Sequence, residues 1–290
     1  MRLTEIRTDP RPVAVARMGI GVATVFNAFE GFEILQRISD GRLAVPWIAG
    51  APLPSAPLLV VGLIVAVIAG IAVTIGWMTA PAAVVSVLLS ATMLLWDQQL
   101  YSNHRWFGTL LLAYLVFAQA GTAWSVKPFG HRSTVRWWPQ LLMMSQLSVL
   151  YVFSALSKMN LVFLSGVPLS GWVWFDAPWQ LFFVASILTI VVELIIGIGL
   201  WFRASRRVAV LFGLGLHLSI IVLMTGETLP LIAFAISCIT LYPLFLFRPG
   251  VEMVSTRGSG RAADSGDSAS ELVHDPEYGG RQDDDEHRRQ

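Results

Sequence analysis

The chain has 290 residues and a formal net charge of +1; 55% of its residues are hydrophobic and only 13% are charged. Soluble domains carry about a quarter charged residues, so a soluble globular fold is excluded. With no basic patch interleaved with aromatics, a nucleic-acid partner is excluded as well.

Mean hydropathy is +0.64, and the charges gather in the first seventeen residues and the last forty. Apolar runs of about 18 residues or more mark membrane helices. Eight spans are expected, near 13–36, 57–78, 80–97, 106–123, 138–157, 181–202, 207–225 and 229–247. The first follows arginines, as a secretory signal does. It lacks a clear small-residue cleavage site and more spans follow, so it reads as an uncleaved helix. The second, "LLVVGLIVAVIAGIAVTIGWM" (58–78), holds no charge. Pro81, Pro139 and Pro230 stand at span beginnings, where a missing N–H costs little. Between 164 and 179, helix breakers alternate with Trp172, Trp174 and Phe175, which predicts a segment that dips into the interface and roofs a cavity. Cys238, the one cysteine, lies in an apolar run and excludes an intramolecular disulfide and a cysteine metal cluster.

The fold class is therefore an all-α, polytopic membrane bundle of about eight transmembrane helices, multi-pass in the cell membrane. With the N-terminus inside, the inner segments hold Arg2, Arg7 and Arg11, then Lys127, Arg132 and Arg136, then Arg203, Arg206 and Arg207, then Arg248. The outer ones hold only Arg37, Arg42, Arg105 and Lys158, so the positive-inside rule puts both termini in the cytoplasm. Three regions follow: a cytoplasmic segment (1–12), a membrane domain (13–248) and a tail (249–290) too polar to fold alone. His274 and His287 lie in that tail and read as solvated, and no metal site is expected.

Ionisable groups at membrane depth are costly and face a cavity or a partner. Asn27, Glu30 and Glu33 recur every three residues and share a helix face in the outer half of the first span. "WDQQLYSNHRW" brings Asp97, Asn103, His104 and Arg105 to the outer surface. Lys158 ends the fifth span, about 30 Å from its inner start. Gln146, Glu193 and His217 fall nearer mid-depth. Together these groups point to one outward-opening cavity. Each also has a plainer reading: Lys158 as a snorkelling anchor, Glu30 and Glu33 as a helix cap, His217 as a core histidine bonded to a carbonyl, the tryptophans as an interfacial belt.

Three stretches, in this order, resemble a known pattern: "YSNHRWFGTLLLAYL" (101–115), "QLSVLYVFSALSKMNLVFLSG" (146–166) and "LFGLGLHLSIIVLMTGETLPLIAFAISCITLYPLF" (211–245). The chain is similar, over roughly 13–248, to the horizontally transferred transmembrane (HTTM) domain family, the membrane part of vitamin K-dependent gamma-carboxylases. The Asn103-His104 pair and the Lys158-x-Asn160 that precedes Gly166 carry the resemblance. It implies a carboxylase-like enzyme of the lyase or ligase type whose lysine takes a proton from a reduced quinone, a menaquinol or vitamin K-like molecule, before carbon dioxide adds to a glutamate. Lys158 would be that base, His104 and His217 would match the family's membrane-site histidines, and Asn103 would be a neighbouring polar contact.

Three functions fit. One is an enzyme using Lys158 at an outward-facing intramembrane cavity, with a secreted or membrane protein as substrate. Another is a non-catalytic membrane protein that binds a lipid, a quinone or a partner protein. A transporter is third, and it is disfavoured because the sequence shows no inverted repeat.

Overall fold

Asp9 opens the first helix: its side chain accepts from the Arg11 backbone N–H at 2.8 Å, and Pro10 takes the first helical position. The computed structural model describes residues 3–40, 44–48, 50, 52, 54–126, 133–226 and 228–247. Expectations that fell on Arg2, Arg42, Lys127, Arg132, Arg248 and the tail 249–290, with His274 and His287, lie outside the described residues.

Helix α1 (Pro10–Ser39) is followed by α2 (Ala56–Ile75), α3 (Thr79–Trp96), α4 (Asn103–Phe117) and α5 (Trp138–Lys158). Two short helices, α6 (Leu161–Leu164) and α7 (Val167–Trp172), lead into α8 (Trp179–Gly199), α9 (Arg206–Leu223), α10 (Thr228–Ile239) and α11 (Tyr242–Leu246). Every expected span has a helix. Seven are long and apolar enough to cross a membrane, with α10 and α11 counted together as Thr228–Leu246. The fourth expected span is the exception: α4 has 15 residues, fewer than the roughly 20 a bilayer asks for. Past its end the chain turns through Gln119 at a φ of 54°, and Arg17 of α1 takes the carbonyls there. Arg17 is fully buried and donates to Ala120 O at 3.0 Å, Ala123 O at 3.2 Å and Trp124 O at 2.6 Å, and also to Ser125 Oγ. In hydrocarbon, non-helical backbone survives only when protein satisfies it.

The one sheet among the described residues is a pair of two-residue strands, Arg7–Thr8 and Val135–Arg136, antiparallel with Arg7 opposite Arg136. It ties the segment before α1 to the start of α5, so these two arginines share an end of the bundle. Alternation of the helices puts the start of α9, with Arg206 and Arg207, at that same end.

Small residues bring α1 and α2 together. A Cβ on Gly21 would meet Thr74 N at 2.6 Å and Gly70 O at 2.8 Å, so the two backbones touch. Ile20, Phe107, Leu111, Met143, Leu147 and Ile196 fill the core from four helices. Ile64, Ile68, Leu88, Leu188, Leu211 and Leu218 stand exposed on the outside. That inverted surface is what lipid requires and water penalises.

Candidate functional site

Helices α5 and α8 run antiparallel, and three contacts mark their pairing. Trp201 Nε1, just past α8, donates to Ser148 Oγ at 2.7 Å. Gly197 lies against Val152 and Tyr151, and Lys158 reaches Glu193. The gap between these two helices and α4, α9 and α10 is a cavity of about 580 Å³. Its polar wall is formed by Asn103 and His104 from α4, Gln146 and Ser154 from α5, Glu193 from α8 and His217 from α9. Between them the wall is apolar, with Phe107, Leu150, Leu216 and Phe234. Val149 and Phe153 also line it, and both are exposed on the outside of the bundle, Phe153 by 64%. The mouth therefore opens sideways, on a face that a membrane helix turns toward lipid.

Lys158 stands behind this wall and is joined to it by two bonds. Nζ donates to Glu193 Oε1 at 2.6 Å and to Ser154 Oγ at 2.6 Å, and Ser154 Oγ donates to Glu193 Oε1 at 2.9 Å. Phe163 lies beneath the amine, its ring centroid 5.9 Å away. The lysine is thus a partner of Glu193 in this structure, and its snorkelling reading gives way to an inward ion pair. Glu193 Oε2 is buried and has no hydrogen bond among the described residues.

Both imidazoles are held from behind. His104 Nε2 lies 3.0 Å from Glu30 Oε2. Arg105 Nη2 lies 2.9 Å from the other oxygen of Glu30, an ion pair whose angle falls short of a hydrogen bond. His217 Nε2 lies 2.7 Å from the Tyr151 hydroxyl, which in turn lies 2.8 Å from the Tyr242 hydroxyl. A tyrosine hydroxyl takes the place of the carbonyl expected as its partner.

The HTTM domain family model matches residues 6–246, most of the chain. This chain belongs to the HTTM domain family. No curated protein and no solved structure matches it. As a member of that family with seven candidate membrane helices, it is a multi-pass membrane protein.

Of the residues singled out in sequence, this HTTM domain brings Asn103, His104, Gln146, Glu193 and His217 to one wall, with Lys158 and Glu30 one bond behind. Four others stand apart. Glu33 is exposed and pairs with Arg37, one turn on along α1, so the three-residue spacing did not keep it with Glu30. Asn160 caps α6, accepting from Phe163 N at 2.9 Å and donating to Ser157 O at 2.8 Å. Asn27 lines a separate cavity of about 60 Å³ with Arg105, where Asn27 Oδ1 and Arg105 Nε have no partner among the described residues. Asp97 is buried and accepts from Gln99 N and Val45 N, a loop-holding role away from the cavity.

The 164–179 segment does not roof the cavity. It rests on α8 and the end of α9: Trp174 Nε1 donates to Val222 O at 3.0 Å, and Phe175 stacks on Phe182. Ser154 and Tyr151 emerge as contributors. The four-residue spacing of Ser154 and Lys158 is a sequence signal for the first of these. Nothing local pairs Tyr151 with His217, 66 positions away.

Proposed function

We propose that this HTTM domain is a membrane enzyme that takes a proton from a lipid-soluble, hydroxyl-bearing ring molecule held in the cavity. The observation that carries the reading is a cavity wall that holds Glu193, ion-paired to Lys158, together with two imidazoles. A volume of about 580 Å³ lies in the range of small-molecule sites. The wall fits a reduced quinone: apolar side chains for its rings, and imidazole and carboxylate side chains for its hydroxyls. Such a quinol supplies two electrons and two removable protons when bound.

The chain's own groups divide the remaining work. The Lys158–Glu193 pair receives the proton. His104, with Nε2 committed to Glu30, keeps Nδ1 for the ligand. His217 is aimed by Tyr151. Phe153 and Val149 frame a mouth that admits an apolar molecule from the bilayer and keeps bulk water out. With the arginine-bearing end in the cytoplasm of a cell membrane, the Lys158 end faces outward. Carboxylation of a secreted or membrane protein is then the reaction class that the family resemblance suggests.

The test is mass spectrometry of small molecules co-purifying with the wild type and with Lys158→Ala from quinone-containing membranes. A prenylated quinone enriched with the wild type and depleted in the variant supports the reading. A wild type that carries none, even after quinone supplementation, overturns it. Turnover of the bound quinol, dependent on carbon dioxide and a glutamyl peptide, separates an enzyme from a passive binder.

A further inference from the structure

We propose that Arg7 and Arg136 form a binding site for the phosphate of an anionic membrane lipid. The site is independent of the quinol reading and lies at the opposite end of α5 from Lys158.

The two-stranded ribbon fixes these arginines. Arg7 stands directly opposite Arg136, and Thr8 opposite Val135. Directly opposed residues leave a ribbon on the same face, and successive residues leave on opposite faces. Thr8 and Val135 are both buried, so theirs is the face turned into the protein. Arg7 and Arg136 share the outer face, where Arg136 is exposed and Arg7 half-buried. Like charges directly opposite each other destabilise a strand pair. Among the described residues neither guanidinium has a carboxylate partner, and Asp9 is paired with Arg11 at 3.2 Å. Arg7 Nη1 donates to Gln119 Oε1 at 3.2 Å, a neutral amide oxygen that also takes the Arg136 backbone N–H at 3.4 Å. The Arg136 guanidinium has no acceptor among the described residues.

An anion shared by the two guanidiniums removes the conflict, and their N–H forks match phosphate oxygens. The position selects a lipid as its source. The ribbon leads directly into α1 at Pro10 and α5 at Trp138, both candidate membrane spans, so it sits at headgroup level. Trp137 and Trp138 are half-buried beside it, at the depth tryptophan prefers. Both helices begin here, so their dipoles add to the attraction for an anion. A zwitterionic lipid brings an ammonium along with its phosphate; phosphatidylglycerol brings none, so the pair favours a lipid of net negative charge. One phosphate held this way clamps α1, which carries Glu30, to α5, which carries Lys158.

Native mass spectrometry of the full chain in mild detergent tests the site, with the acidic residues of the tail present as competitors. The probes are phosphatidylglycerol, phosphatidylcholine and inorganic phosphate. One phosphatidylglycerol should survive activation that strips phosphatidylcholine from the wild type. Arg136→Gln leaves the backbone bond to Gln119 in place and should cut the retained fraction about fivefold or more, the order expected for one arginine beside an anionic lipid. Arg203→Gln, at an exposed arginine of the same end, should leave it unchanged. Equal losses in the two variants would mean diffuse charge and overturn the site, as would equal retention of the two lipids by the wild type. In lipid-free detergent Arg136→Gln should melt no lower than the wild type; a lower midpoint would show a structural arginine and overturn the site as well. Displacement of phosphatidylglycerol by inorganic phosphate would overturn the lipid as the source of the phosphate.

Discussion

His104 and Glu30 meet at 3.0 Å across α4 and α1, with both side chains largely buried. An ionised carboxylate only accepts, so the hydrogen between them sits on Nε2 and the tautomer of His104 is set by a helix that does not line the cavity. Glu30→Gln should weaken binding of a hydroxylated ring by a few-fold, since an amide can present either group to the imidazole. Nitrogen chemical shifts of His104 check it: one tautomer in the wild type, a mixture in the variant.

Removing Glu30 altogether is a different experiment. Arg105 loses its counter-charge while 13% exposed. Breaking a buried pair from one side costs about 3–5 kcal/mol. Glu30→Ala should therefore lower the thermal midpoint in detergent markedly. The double variant Glu30→Ala, Arg105→Ala should recover part of the loss.

Arg17 offers a sharper case. Its guanidinium serves three backbone carbonyls and the Ser125 hydroxyl, and a lysine ammonium has too few hydrogens and the wrong shape to replace it. Arg17→Lys should cost about 2–4 kcal/mol through carbonyls left without donors. Arg37→Lys, at an exposed pair, should be almost neutral. Parallel thermal scans of the two variants make the comparison.

Gly197 sets how close α8 comes to α5. A Cβ there would meet Val152 Cγ2 at 2.9 Å and Tyr151 Cβ at 3.2 Å. Gly197→Ala should cost about 1–3 kcal/mol from overpacking. It should also loosen the Lys158–Glu193 bond one turn away. Reduced affinity for menadiol, beside a lower melting midpoint, would show the coupling; unchanged affinity would show that the pair tolerates the shift.

Sidedness is open to labelling, because Cys238 is buried and leaves a quiet background. With a cytoplasmic N-terminus, Asp176→Cys should react with a membrane-impermeant maleimide on intact cells. Arg203→Cys should react only after permeabilisation. The reverse pattern would invert the topology.

Each span could be read from the chain because hydropathy belongs to a segment and depends on no neighbour. "LLVVGLIVAVIAGIAVTIGWM" is a membrane helix whatever surrounds it, and α2 accordingly lies within a residue or two of its expected start. The short α4 was not legible in this way. Its apolar run continues to about residue 123, but the chain leaves the helix after Phe117 and its following carbonyls are taken by Arg17, more than a hundred positions earlier. Likewise Glu30 and Glu33 look alike in sequence. A rotation of α1 against α4 sends one to His104 and leaves the other outside with Arg37.

Composition alone made this a multi-span membrane protein and marked the rare polar residues that such an environment makes expensive. Tertiary structure decided their partners. Lys158 and Glu193 are 35 positions apart, and His104 and Glu30 are 74 apart. The physical reason is that burial is a property of a segment, whereas a hydrogen bond needs two side chains within about 3 Å. That distance is fixed by helix rotation and depth, which no single stretch of sequence contains.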